Sequence, residues 1–173
     1  MKKESMKDRP YVTVDLPCFL QDFLAHEFKT HPSGDGLLVD GGTDVGRYIL
    51  SLVTAAREPD PATADHPLRL YLPLNAEVSY GYRHLTPVIN GMRARQLWQH
   101  LNALFRLRVR EFFAEGYRKG FSQDSIIRAF LEHYACRHNA VSYDAVKQAD
   151  FRYRRRLRRQ IAAEITESVE RWA

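Results

Sequence analysis

The chain has 173 residues, of which 45% are hydrophobic, enough for one ordinary core or two small ones, and its formal charge at pH 7 is +5. No run of eighteen apolar residues exists and no apolar segment follows the N-terminal lysines, so the sequence supports neither a membrane span nor a secretory signal and points to a cytoplasmic protein. Two cysteines, Cys18 and Cys136, are too few for a disulfide framework and read as small buried hydrophobes.

Residues 11–16 alternate, with Val12, Val14 and Leu16 on one side, as a half-buried strand does. Pro17 opens a helix whose broad apolar face is Phe19, Leu20, Phe23, Leu24 and Phe28. Residues 36–40 form a second short strand that the Gly41-Gly42 pair breaks. Thr43 caps a second helix carrying Val45, Ile49, Leu50, Leu52 and Val53, expected to run to about Arg57 because Pro59 and Pro61 stop it. A polar loop over residues 58–67 leads to a strand at 68–73, and residues 77–82 read as another. The expectation is an α+β fold: a small N-terminal sheet with two helices over residues 1–85, then a helical part over 86–173.

In the second part, Thr86-Pro87 predicts a helix start, and the stripe Trp98, Leu101, Phe105, Val109 and Phe112 carries the helix to about Lys119, where Gly120 ends it. Arg93, Arg95, Arg106, Arg108 and Arg110 lie on its other side. The last helix continues through Ile161, Ile165, Val169 and Trp172, a seam able to pack on the domain or pair with a second copy in a homodimer.

Residues 1–85 carry nine Lys/Arg against twelve Asp/Glu, net −3, whereas residues 86–173 carry seventeen against nine, net +8. The densest run of positive charge, Arg152 to Arg159, lies within residues 121–160. Ser122 caps a helix bearing Ile126, Ile127, Phe130, Leu131 and Tyr134. Residues 138–141 make a turn of helix-turn-helix length, and Ser142 caps a second helix starting at Tyr143. On that helix Val146, Tyr153, Leu157 and Ile161 share the side expected to pack, while Asp144, Gln148, Phe151, Arg152, Arg155 and Arg159 face away.

Six arginines between Arg152 and Arg159 repel one another unless a polyanion neutralises them, and the planar guanidinium matches phosphates and guanine edges. The expected partner is duplex DNA. Lys147, Gln148, Arg152 and Arg155 are candidates for base edges, and Arg154, Arg156, Arg158 and Arg159 for phosphates. The plainer reading is a solvated helix face relieved by pairs such as Asp150 with Arg154. Other partners compatible with the basic helix are RNA and an acidic protein.

No catalytic constellation is legible, so the chain is not expected to be an enzyme, and no cofactor is indicated. His26 has threonine where a zincin motif needs its second histidine. His133, Cys136 and His138 lie close enough in sequence to share a metal but form a single cluster. Gly41-Gly42-x-x-x-Gly46 opens a helix without a following Gly-Lys-Ser/Thr and reads as a turn, while Asp15, Asp22, Asp40 and Asp44 read as loop or capping acids.

Several patterns together resemble small, uncharacterised DNA-binding-like proteins of bacterial mobile elements and phages. They are Val12-x-Val14-x-Leu16-Pro17 with Phe19, Leu20 and Phe23; Gly46-x-x-Ile49-x-x-Leu52-Val53; Leu72-Pro73; Leu85-Thr86; and Ile89-Asn90. The C-terminal ones are Ile127-x-x-Phe130-Leu131-Glu132-x-Tyr134, the run 143–147, and Arg154-Arg155-Arg156. The resemblance spans nearly the whole chain and implies an accessory or regulatory protein without catalytic residues. The opening strand and helices also resemble a ribbon-helix-helix repressor, in which Thr13 and Asp15 would face the major groove. The Gly41-Gly42 turn and the extra strand depart from that pattern.

Overall fold

The structure, a computed structural model, describes residues 9–57, 67–74 and 85–172. Within them the chain is α+β, strands first and helices last: β1 (Tyr11–Val14), α1 (Cys18–Glu27), β2 (Gly36–Leu38), α2 (Asp44–Leu52), β3 (Thr54–Ala56), β4 (Leu68–Tyr71), β5 (Thr86–Val88), α3 (Gly91–Arg118), α4 (Gln123–His133) and α5 (Ala140–Glu170). The strand expected at 77–82 lies outside the described residues. No described helix is long and apolar enough to cross a membrane. Contacts group the chain into two units, Met1–Asn102 and Ala103–Ala173, so the division falls inside α3.

In the first unit β4 is the middle strand. It pairs antiparallel with β1, Tyr11 opposite Tyr71 and Val14 opposite Leu68, and parallel with β2, Gly36 opposite Arg69. Alternation sends Val12 and Val14 inward with Leu70, where they meet a core that includes Leu20, Phe23 and Leu24 of α1. Thr43 caps α2 as expected, its Oγ accepting the Gly46 N–H at 3.0 Å. Asp40 accepts the Gly42 N–H at 2.8 Å and Asp44 pairs with Arg47, the turn and capping duties their positions predict.

Two boundaries differ from the sequence expectation. α2 stops at Leu52 and its continuation becomes β3, which pairs antiparallel with β5, Thr54 opposite Val88. Thr86-Pro87 is therefore strand and not helix start. A two-stranded ribbon tolerates a residue without an N–H on its open side, so the proline signal is compatible with either element. The α3 stripe also sits one residue off at its ends: Leu97, Leu101, Phe105, Val109 and Phe113 are buried, whereas Trp98 is 39% exposed. α3 ends where predicted, with Gly120 at φ +78° and the Phe121 N–H donating to Gly116 O at 3.1 Å.

Asp35 fastens the loop before β2 to the sheet. Its carboxylate accepts the Tyr71 hydroxyl at 2.9 Å, the Ser33 hydroxyl, and the Arg69 guanidinium. His31 stacks on Tyr71 at 3.8 Å and meets Ser33 Oγ through Nδ1. Serine, not histidine, is the middle member of this trio, so it lacks the order of a nucleophilic triad and serves as a clasp.

The hydrogen bonds from Ser33 and Tyr71, with Arg69 adding, lower the Asp35 pKa to about 2. A carboxylate depressed below its ordinary value stabilises the fold above that ordinary value, and the contribution disappears as pH falls through about 4 toward 2. Chemical-denaturation midpoints of the wild type should therefore drop over that window relative to Asp35→Asn. Gly46 admits no side chain, since a Cβ there would sit 1.8 Å from Asp40 O. Gly46→Ala should cost about 3 kcal/mol in urea unfolding, against about 1 kcal/mol for Thr43→Ala.

Candidate nucleic-acid interface

The second unit builds the basic helix from its own turns upward. Ser122 caps α4, Oγ accepting the Ser125 N–H at 3.2 Å, and α4 buries Ile126, Ile127, Phe130 and Leu131. Phe130 meets Phe105 and Phe112 edge-on at 5.7 and 5.5 Å. The connection carries Ala135 at φ +48°, and the Cys136 N–H donates to Leu131 O at 2.8 Å, which leaves Cys136 buried beneath the turn.

α5 begins three residues earlier than Ser142 capping predicts. Asn139 takes the cap, its side-chain oxygen accepting the Ser142 N–H at 2.8 Å, so Ser142 becomes a buried residue of the first turn. Asparagine holds an extended N-cap backbone as readily as serine, and both lie before the apolar positions, so the sequence did not separate them.

Two polar knots hold the start of α5. Asp124 accepts the Tyr143 hydroxyl and Arg128 Nε, both at 2.8 Å; the tyrosine bond is the main cause of a lowered Asp124 pKa and a raised Tyr143 pKa. The second knot centres on Asp150, whose side chain is 1% exposed. It accepts Tyr117 Oη at 3.0 Å, Gln123 Nε2 at 2.8 Å and an Arg154 guanidinium nitrogen at 2.7 Å. Burial, then the bond to Asp150, raises the Tyr117 pKa. The Arg154 guanidinium also lies 5.4 Å over the Tyr117 ring. Val146, buried between the knots, supplies the apolar contact.

Beyond Asp150 the helix outruns its support. At about 1.5 Å per residue, α5 is close to three times as long as α4. Of the four positions expected to pack, only Val146 is buried; Leu157 and Ile161 are exposed, and so is Tyr153, although Arg110 of α3 lies near its ring.

The candidate contact residues divide accordingly. Lys147 is exposed, its ammonium 6.0 Å from the Tyr143 ring, and Gln148 accepts from Arg152 at 3.3 Å. Arg152, Arg155, Arg156, Arg158 and Arg159 are exposed, and none has a carboxylate at ion-pair distance among the described residues. Arg154 stands apart, paired to Asp150 at the i,i+4 spacing that the sequence indicates. At about 100° per residue, Gln148, Arg152, Arg155, Arg156 and Arg159 share the half of α5 that faces away from Leu157 and Ile161. Arg110 of α3 adds a further cation, 5.3 Å from the Tyr153 ring.

Sequence reasoning missed the central part of Asp150. Its signal was present, since an acid in step with Val146 and Tyr153 on the packing side is an acid placed for burial. Among the described residues no group of three or more His, Cys, Asp and Glu is placed to hold a metal ion. Removing the buried carboxylate strands Arg154 and two further donors, so Asp150→Ala should lower the unfolding free energy by about 3 to 5 kcal/mol. Tyr117→Phe, which removes one of the three donors, should cost about 1 kcal/mol in the same urea titration.

Comparison with protein-family models, with curated proteins and with solved structures finds no match for this chain.

Proposed function

We propose that the chain is a cytoplasmic, non-enzymatic DNA-binding protein whose α5 docks on duplex DNA, in an accessory or regulatory role of the kind the mobile-element resemblance implies. The observation that carries this reading is the ridge of five exposed arginines, 152, 155, 156, 158 and 159, which have no carboxylate partner among the described residues, whereas Arg154 of the same run is paired to Asp150. Unpaired guanidiniums at this density repel one another in water, and phosphates relieve that repulsion while releasing condensed counterions. Lys147, Gln148, Arg152 and Arg155 are assigned to base edges and Arg156, Arg158 and Arg159 to phosphates, whereas the pairing with Asp150 makes Arg154 a residue that orients the helix.

Filter binding at low salt tests the reading. Wild type should retain duplex DNA, and the triple variant Arg152→Ala/Arg155→Ala/Arg159→Ala should lose most of that retention. Each phosphate-contacting arginine removed should flatten the plot of log affinity against log salt by roughly one unit. Retention unchanged by the triple variant overturns the assignment. Preference for single strands or hairpins over duplex moves it to RNA. Capture of an acidic protein with only weak, salt-sensitive DNA uptake moves it to an adaptor.

A further inference from the structure

The end of α5 carries an apolar stripe that no described residue buries. Leu157, Ile161, Ile165 and Val169 recur every fourth residue and are 40, 45, 58 and 62% exposed. Every described residue from 155 to 172 is exposed, so this stretch is a lone helix in water, a marginal state without a packed face.

Its charges are arranged symmetrically about Ile161. Arg152, Arg155 and Arg158 precede it by nine, six and three residues, and Glu164, Glu167 and Glu170 follow it by three, six and nine. A second copy turned end for end about Ile161 brings level those residues that stand equally far from it. Leu157 comes level with the partner's Ile165, Tyr153 with its Val169, and Ile161 with its own counterpart. The same turn lays the arginine segment as a whole alongside the partner's glutamate segment, an attraction between charged stretches and not an array of ion pairs, while the opposed helix dipoles also attract. A parallel pair would set the six arginines of one copy against the six of the other. Rows spaced by four residues interdigitate in the commonest helix packing of globular proteins, which suits a contact centred on one residue.

We propose that the C-terminal half of α5 pairs with a second copy of this chain in antiparallel orientation, centred on Ile161. Leu157 and Ile161, the centre of the contact, lie away from Gln148, Arg152, Arg155, Arg156 and Arg159, so the pairing leaves that side of the helix outward and does not depend on the DNA-binding reading.

The test is made on the full chain without nucleic acid, by sedimentation equilibrium. Wild type should form a dimer, and Ile161→Asp, a change on an exposed position that leaves the fold intact by circular dichroism, should raise the dissociation constant about a hundredfold. One variant replaces Arg152, Arg155 and Arg158 with Glu; another replaces Glu164, Glu167 and Glu170 with Arg. Each alone should associate at least about tenfold more weakly than wild type, and their equimolar mixture should recover a heterodimer. In a Cys18→Ser background, Leu157→Cys mixed with Ile165→Cys should cross-link under oxidant, and Leu157→Cys alone should not. A wild-type chain that stays monomeric at about 1 mM overturns the proposal, as does self-cross-linking of Leu157→Cys alone, the mark of a parallel pair.

Discussion

The buried carboxylate of Asp150 is the constraint on which the basic helix depends. Tyr117 from the end of α3, Gln123 from the start of α4 and Arg154 from α5 itself all converge on it. A charge taken out of water is tolerated only when its lone pairs are filled, and three donors from three elements fill them. The geometry they demand fixes which side of α5 faces the unit and therefore which arginines face outward. Asp124, itself exposed, adds a second contact to α5 through Tyr143, one helical turn from the cap. Between the two knots there is little apolar burial on α5 beyond Val146, so polar contacts set the orientation of this helix more than hydrophobic ones do.

Much of the fold was legible because the periodicities were clean. The alternation of Val12, Val14 and Leu16, the Thr43 and Ser122 caps, and the Gly120 stop all rest on local chemistry that acts within a turn or a strand. The misread places are those where the deciding contact is distant. Thr86-Pro87 has the signature of a helix start, yet its conformation is set by Thr54 to Ala56, some thirty residues away. The length of α2 was fixed by the same pairing, since the residues expected to prolong it are drawn into β3 instead.

The candidate interface was legible in a different sense. The arginine run and its helix could be read directly, and the i,i+4 relation of Asp150 to Arg154 was visible as a pair. What the sequence withheld was how far the supporting helices reach. An apolar stripe at helical spacing has the same signature whether its cover comes from the same chain or from elsewhere, so Tyr153, Leu157 and Ile161 looked like core when they are surface. Gly46 was equally silent: its spacing reads only as a turn, and its reason is the carbonyl of Asp40 against which a methyl group has no room.

The strand order of the three-stranded sheet bears on how the chain comes together in time. β1 is made first, but its neighbour is β4, with Tyr11 opposite Tyr71, and β2 must also wait for that same strand. Until some sixty further residues have emerged, the opening segment has no ladder to join, and its valines stay open to the wrong neighbours. The helices of the second unit close over short loops and have no such delay, so the two halves of one small protein assemble by different clocks.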